Sequence, residues 1–151
     1  MPGADGEQAD AMTVAARRAE ELYATDRTCQ SLGITLGEVG PGRASVSMRV
    51  TAEMTNGYGI GHGGYVFLLA DAAFAYACNS YASVNVAQSA QVTFLRPARV
   101  GADLVAEATE RERVGRTGLY DVTVRTSDGE VVAEFRGQSQ MLSGNPFAGR
   151  G

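Results

Sequence analysis

Apolar and polar residues alternate along most of the C-terminal half of the chain, a pattern typical of half-buried β-strands. Four segments show it, with apolar positions at Ala90, Val92, Phe94; Leu104, Ala106, Ala108; Tyr120, Val122, Val124; and Val131, Ala133, Phe135. Glycine-containing turns at 115–118 and 128–129 separate the last three segments. Residues 44–50 alternate in the same way. Sequential hairpins of this kind predict an antiparallel sheet.

Two segments have helical periodicity instead. Residues 12–24 place their apolar side chains at three- and four-residue spacing, which predicts an amphipathic helix. Residues 65–82 lack Pro and Gly and are apolar on nearly every side, which predicts a buried helix packed on the sheet. We therefore expect an α+β fold with a disordered N-terminus (1–10), one domain (11–142) and a flexible C-terminal tail (143–151).

Composition narrows the class of function. The net charge of -4 and the pI of about 5.0 argue against a general nucleic-acid binder. The two cysteines, Cys29 and Cys78, form no CxxC pair and suit free thiols in a reducing cytosol. Because residues 1–10 have no apolar signal-peptide core and no stretch is apolar enough to span a membrane, we expect a cytoplasmic protein.

The segment 56–64 contains five glycines in nine residues and directly precedes the predicted buried helix. Its last six residues match G-x-G-x-x-G, but dinucleotide binding also requires a βαβ unit and an acidic residue about 20 positions further on. No Asp or Glu lies between Asp71 and Asp103. A simple turn into the helix is an alternative. We favour a helix N-terminus whose free N–H groups receive a ligand oxygen.

Asp71 is the only charged side chain between Glu53 and Arg96. A carboxylate among Leu, Ala and Phe side chains is costly unless it is paired or functional, and desolvation would raise its pKa and make it a better base. The alternative is a buried Asp held by backbone or hydroxyl donors.

The spacing between Gly63 and Asp71, eight residues, corresponds to about 12 Å along a helix. A general base must lie within about 3 Å of the atom it serves, or one water away. If both residues serve one site, Asp71 must therefore come from a second, antiparallel helix. A two-fold homodimer supplies that helix and forms two equivalent sites.

Other chemistries have less support. His62 is the only histidine, so it is either structural or orients a substrate oxygen at the helix start. The sequence has no G-x-S-x-G elbow, and His62, Cys29 and Cys78 lack metal-ligand spacing, so we expect no metal. Five arginines form a solvated face by default, and the alternative is that a subset of them binds the phosphates of an anionic ligand: Arg96, Arg99, Arg111, Arg113 and Arg116.

Several motifs together resemble the PaaI-type hotdog thioesterases of phenylacetic acid degradation. They lie at residues 56–64 (NGYGIGHGG), 69–71 (LAD), 74–80 (FAYACNS), 94–97 (FLRP), 118–122 (GLYDV) and 135–137 (FRG). The resemblance extends from about residue 31 to residue 142. It implies a curved antiparallel sheet wrapped around a central helix, dimers that share one continuous sheet, and dimers paired into a homotetramer. It implies no cofactor, since coenzyme A is part of the substrate.

The resemblance also implies roles for individual residues. The Gly63 N–H would polarise the thioester carbonyl, with Gly64 next to it, while Asn56 and His62 would place the substrate. Asp71 of the facing subunit would activate water or attack the carbonyl itself. Some relatives carry a hydroxyl on the strand after the helix, for which Ser89 is the candidate here, and Arg116 is the arginine assigned to substrate binding.

The expected reaction is hydrolysis of phenylacetyl-CoA or hydroxyphenylacetyl-CoA to the free acid and coenzyme A. Whether coenzyme A or an acyl carrier protein carries the acyl group stays open. One alternative is a hotdog dehydratase or hydratase acting on acyl thioesters, against which the position of the single histidine counts. Another is a non-catalytic acyl-CoA binding module.

Overall fold

Three α-helices and six strands make up the part of the chain that the computed structural model describes, residues 3–149. In chain order they are α1 (Ala4–Thr25), α2 (Arg27–Ser31), β1 (Thr35–Gly40), β2 (Arg43–Arg49), α3 (Gly63–Cys78), β3 (Asn85–Phe94), β4 (Asp103–Val114), β5 (Thr117–Thr126) and β6 (Val131–Met141). A short 3₁₀ turn, Ala52–Met54, lies between β2 and α3. The predicted α+β class is confirmed.

The strands form a single antiparallel sheet in the order β1-β2-β4-β5-β6-β3. The predicted hairpins join β4 to β5 and β5 to β6, and Gly115 and Gly129 adopt the positive φ values (61° and 90°) that their turns need. Apart from β3, the strands lie in the sheet in the order in which they occur along the chain. After β2 the chain runs through α3, which carries it across the sheet, so that β3 pairs with β6 at the far edge.

The core lies between α3 and the inner face of the sheet. The Phe74 ring packs edge-on against Tyr120, with centroids 5.5 Å apart, and lies 5.7 Å from the ring of Phe135. Gly137 of β6 allows this close approach, because a Cβ there would lie 2.9 Å from both phenylalanine rings. The inward residues of β5, including Val122 and Val124, are fully buried beneath the helix. A curved sheet wrapped around a central helix is the predicted hotdog fold, which is confirmed.

The central helix ends four residues earlier than residues 65–82 suggested. Asn79 stops it at Cys78: its side-chain amide donates to the carbonyl oxygens of Ala75 (2.9 Å) and Asn85 (3.0 Å), and its Oδ1 accepts from the Asn85 N–H at 2.8 Å. These bonds turn the chain directly towards β3. The sequence prediction was wrong here because periodicity carries no information on a cap formed with a residue of the next strand.

The N-terminal boundary also differs from the prediction. Residues 1–10 were expected to be disordered, yet α1 begins at Ala4, while Met1 and Pro2 lie outside the described residues. The acidic Asp5 and Glu7 occupy the first turn of α1, where they complement the helix dipole. At the other end, residues 143–149 form bends and turns, and the last two residues of the predicted tail are outside the described part.

The strand β3 is ten residues long and is exposed along most of its length. Within residues 3–149 its only partner is β6. Ala90, Val92 and Phe94 pair with buried residues of β6 and so lie on the inner face, as predicted. Ala90 and Phe94 are nevertheless exposed, and Val92 is half-buried. A long exposed edge strand invites pairing with another chain, so natural proteins normally shorten, charge or cover it.

Candidate active site

Asp71 lies near the middle of α3, on a face that the sheet leaves partly open. Its side chain is half-buried, as are Leu68 and Ala75, one turn before and one turn after it. Within residues 3–149 the Asp71 carboxylate has neither a hydrogen bond nor an ion pair. Burial raises the pKa of Asp71 above its ordinary value. The alternative interpretation, a structural Asp held by backbone or hydroxyl donors, is therefore not supported within residues 3–149, where the Asp71 carboxylate has no such donor.

Two buried thiols lie close enough to Asp71 for its charge to affect them. Burial raises the pKa of Cys29 to about 12, and a hydrogen bond to Asp26 adds to the effect. Burial also raises the pKa of Cys78 to about 12, with a further contribution from the negative charge of Asp71. Both free thiols therefore stay protonated at neutral pH and are poor nucleophiles.

The glycine-rich loop before α3 is held by its own backbone and by the loop that follows β3. The Oδ1 of Asn56 accepts from the Tyr58 N–H at 2.9 Å and the Ile60 N–H at 3.4 Å. The Gly61 N–H donates to the Ala98 carbonyl at 2.6 Å. Asn56 thus orders the loop through its oxygen, while its amide nitrogen makes no hydrogen bond within residues 3–149.

The start of α3 offers free donors. His62 is the N-cap residue, its side chain is exposed, and it makes no capping hydrogen bond. Within the described residues, neither the Gly63 N–H nor the Gly64 N–H has a partner. A Cβ on Gly63 would lie 3.0 Å from the Phe94 ring, so glycine lets that ring approach the backbone. Helix N-termini of this kind favour an oxygen that carries negative charge.

A cleft of about 490 Å³ opens at this helix start. Its walls are formed by Asn56, Gly61, Gly63 and Val66 on one side and by residues 94–98 on the other. Asp71 is not part of the cleft, as expected from the eight-residue separation, which spans about 12 Å of helix. The free N–H donors and the carboxylate therefore lie at two separate places along α3.

Two of the predicted binding residues lie away from the cleft. Ser89 pairs with Gln138, whose neighbours Gly137 and Ser139 are the residues buried on the inner face. Paired residues share a face of the sheet, so Ser89 faces away from α3. Arg116 lies in the β4–β5 turn, where its Nη1 donates to the Ser143 Oγ at 3.1 Å. Neither Ser89 nor Arg116 lines the cleft that contains Gly63.

The segment 94–97 contributes more to the cleft than the sequence indicated. Its arginine, Arg96, lines the cleft and donates to the Val131 carbonyl at 2.9 Å. Arg111 and Arg113 are instead engaged in ion pairs, with Asp121 at 3.4 Å and Glu110 at 3.2 Å. The FLRP motif was the available signal for Arg96, but of the five arginines Arg116 was the one predicted to bind substrate.

Two further properties concern the residues that the structure describes. No group of three side chains there has an arrangement that holds a metal ion. No helix in the same part of the chain is long and apolar enough to cross a membrane.

We expect Asp71→Asn to raise the melting temperature at neutral pH. Because burial raises the pKa of Asp71 in the folded state, the folded protein binds its proton more tightly than the unfolded chain. The free energy of unfolding therefore falls as the pH rises from the ordinary aspartate pKa through the raised one. Asn has no proton to lose in this range, so the variant does not show this fall. Thermal denaturation from pH 3 to pH 8 should show the advantage of the variant vanishing at the acid end. An equal difference at every pH would contradict this prediction.

Comparison with known proteins gives a consistent result. A sequence model of the Thioesterase superfamily matches residues 58–133. The acyl-coenzyme A thioesterase PaaI of Escherichia coli is 42% identical over 128 residues, which cover 85% of this chain and 91% of that protein. The human acyl-coenzyme A thioesterase 13 is 34% identical over 108 residues, covering 68% of this chain and 76% of that protein.

Solved structures show the same relationship. The structure of the E. coli PaaI protein from the phenylacetic acid degradation operon superposes with a TM-score of 0.88 at 40% identity, covering 89% of this chain and 98% of that one. A mutant of the phenylacetic acid degradation protein PaaI from Thermus thermophilus superposes with a TM-score of 0.75 at 36% identity, covering 78% of this chain and 100% of that one.

Proposed function

The chain belongs to the thioesterase superfamily, and from that premise we propose that it hydrolyses acyl-coenzyme A thioesters at sites shared between two subunits. The observation that carries the proposal is Asp71, a desolvated carboxylate without an internal partner. The similarity to named acyl-coenzyme A thioesterases supports the reaction type. The alignment with the E. coli protein covers 91% of that protein, which supports carrying the activity over to the whole domain.

The proposed acyl group is phenylacetyl or hydroxyphenylacetyl, carried by coenzyme A. The relative solved from the phenylacetic acid degradation operon supports this choice. The cleft beside Gly63 includes Arg96, a cation suited to the anionic end of coenzyme A. No metal or cofactor has a role in the proposed reaction.

The proposed dimer forms by antiparallel pairing of β3 with β3 of the partner subunit. Such pairing covers the exposed edge and extends the six-stranded sheet into one of twelve strands. A two-fold axis makes the two α3 helices antiparallel. We propose that the two helices are offset so that the first turn of the partner's helix lies beside the middle of this one, where Asp71 is. We further propose that two such dimers pair into a homotetramer.

The proposed chemistry divides between two half-sites, one on each subunit. The Gly63 N–H of one subunit donates to the thioester carbonyl oxygen, and Asn56 and His62 lie beside it to position the substrate. Asp71 of the other subunit accepts a proton as water adds to the carbonyl carbon. The tetrahedral intermediate then breaks its C–S bond, and the leaving thiolate of coenzyme A takes up that proton. Direct attack by Asp71 would form an anhydride that water then cleaves; both routes need the ionised carboxylate.

An oxyanion donor and a general base together account for the proposed rate enhancement. One preorganised oxyanion donor contributes about 2.7–4 kcal/mol, and a positioned base contributes roughly 10²–10⁴ in rate. Thioesters are already activated acyl groups, so the proposed site needs no serine nucleophile.

The primary test is release of coenzyme A thiol from phenylacetyl-CoA and hydroxyphenylacetyl-CoA. We expect turnover of both by the purified protein. Tight binding of both thioesters without thiol release would contradict hydrolysis and favour a binding module. A change in enoyl absorbance with an enoyl-CoA, again without thiol release, would favour a dehydratase or hydratase.

The shared site predicts complementation between two inactive variants. We expect a refolded equimolar mixture of Asp71→Asn and Gly63→Pro chains to recover about a quarter of the wild-type activity, because half of the dimers are mixed and each has one intact site. Each variant refolded alone is the control. If every site were built within one chain, the mixture would show only the summed residual activities of the two variants.

A further inference from the structure

One turn beyond Asp71, a cavity of about 220 Å³ separates α3 from the N-terminal helices. Its lining consists of Leu22, Thr25, Asp26, Ala75, Tyr76 and Asn79. None of these residues belongs to the cleft at the start of α3. The cavity therefore lies at the carboxylate half of the proposed site, away from the donor half of the same subunit.

Ala75 connects this cavity to the proposed chemistry. It follows Asp71 by four residues, so both side chains lie on the same face of α3, about 6 Å apart along its axis. Both are half-buried, so this face is open between them. A phenylacetyl group whose carbonyl carbon lies beside Asp71 reaches Ala75 with its ring, whereas a propionyl group is too short to reach it. The coenzyme A part of the substrate, which is attached to the same carbonyl carbon, must extend in another direction, towards the partner's cleft.

The cavity has the size and wall chemistry for one aromatic ring. A cavity of roughly 150 Å³ is enough to bind benzene. The polar groups of the wall already have partners: the Tyr76 hydroxyl donates to the Asp26 Oδ2 at 2.9 Å, and the Asn79 amide is bonded to Ala75 and Asn85. A ring that enters therefore breaks none of these hydrogen bonds, which lowers the cost of filling the cavity with apolar atoms.

The wall opposite Ala75 comes from α1. Leu22 and Thr25 line both this cavity and a larger groove of about 790 Å³ that continues towards the start of β3 and Phe147. Leu22 thus lies at the boundary between a chamber for one ring and a longer channel. The family model matches residues 58–133 only, so α1 and its Leu22 lie outside the matched segment.

We propose that this cavity is the acyl chamber, with Ala75 setting its width beside Asp71 and Leu22 closing its far end. The chamber would select acyl groups the size of a single arylacetyl unit, and α1 would be the element that sets the upper limit of length. The inference rests on the proposed function, because it takes Asp71 as the carboxylate beside the thioester carbon.

The test uses two substitutions with opposite effects and a series of three thioesters. Ala75→Leu narrows the chamber, so we expect the ratio of kcat/KM for phenylacetyl-CoA to that for propionyl-CoA to fall at least about tenfold, the discrimination expected for misfit in an apolar pocket. Leu22→Ala opens the far end, so the ratio for 4-phenylbutyryl-CoA to phenylacetyl-CoA should rise by a similar factor. Ala82→Leu, an exposed position just after α3, is the control and should keep both ratios.

Ratios of kcat/KM separate pocket size from general damage. Loss of folded protein lowers the rates with all three thioesters equally and leaves the ratios unchanged. Unchanged ratios in both Ala75→Leu and Leu22→Ala would overturn the assignment of the chamber while leaving hydrolysis at Asp71 intact. A wild-type protein that hydrolyses propionyl-CoA but neither aryl thioester would instead overturn the proposed substrate.

Discussion

Replacing Asp71 by Asn is expected to lower kcat for acyl-CoA hydrolysis by about 10²–10⁴, the contribution of a positioned base. Asn keeps the volume of the side chain but cannot accept the proton of the attacking water. Since Asp71 has no internal partner within the described residues, the substitution breaks no hydrogen bond or ion pair. The measurement is steady-state thiol release from phenylacetyl-CoA, with folding checked by thermal denaturation.

The pH dependence supplies a second measure of the same residue. Because burial raises the pKa of Asp71, kcat/KM of the wild type should fall as the pH drops through that raised value, where the carboxylate takes up a proton. The residual activity of Asp71→Asn should lack this inflection. Asp103→Asn is the matched control, because Asp103 is exposed and pairs with Arg49 at 2.9 Å, away from α3. Wild-type rates from Asp71→Asn would contradict a catalytic role.

The second large effect is expected from Gly63→Pro, which removes the proposed oxyanion donor. Proline has no backbone N–H, and loss of one such donor typically lowers kcat by about 10²–10³. The fold should tolerate the change: Gly63 is the first residue of α3, a position where proline is common. The preceding His62 has φ -63° and ψ 135°, a conformation that suits a residue before proline.

Gly63→Ala is the matched control for that substitution. It places the same Cβ about 3.0 Å from the Phe94 ring but keeps the N–H. Since Phe94 is 52% exposed, its ring has room to move aside. We expect Gly63→Ala to retain most of the activity that Gly63→Pro loses, with similar melting temperatures for both. Equal losses in the two variants would show that the Cβ, and not the missing donor, causes the effect.

Much of the fold follows from local sequence patterns. Alternation along residues 104–108 and 120–124 predicts strands whose apolar residues face inward, and Leu104, Ala106, Val122 and Val124 are buried. An apolar residue at every second position of a strand, or at every third or fourth position of a helix, marks the side that faces the core. The isolated charge of Asp71 among apolar residues is likewise visible in the sequence. Its separation from Gly63 could also be predicted, because the rise per residue of a helix is constant.

Other features depend on contacts between distant residues. The bulge between Ala87 and Ser89 places Ser89 opposite Gln138, so the face of that hydroxyl depended on the register with β6. Arg96, and not Arg116, lines the cleft because the end of β3 returns to the helix start. The acyl chamber requires α1, some 50 residues from Ala75 in sequence, to pack beside α3.

The sequence by itself therefore determined the class of fold, the strands, the central helix and the two chemically distinctive positions, Gly63 and Asp71. Each of these rests on properties of neighbouring residues: periodicity, glycine content and the cost of burying a charge. The tertiary structure alone decided the helix ends, the exposed edge of β3 and the walls of both cavities. These are set by strand order, register and caps, which depend on the packing of segments that no local pattern connects.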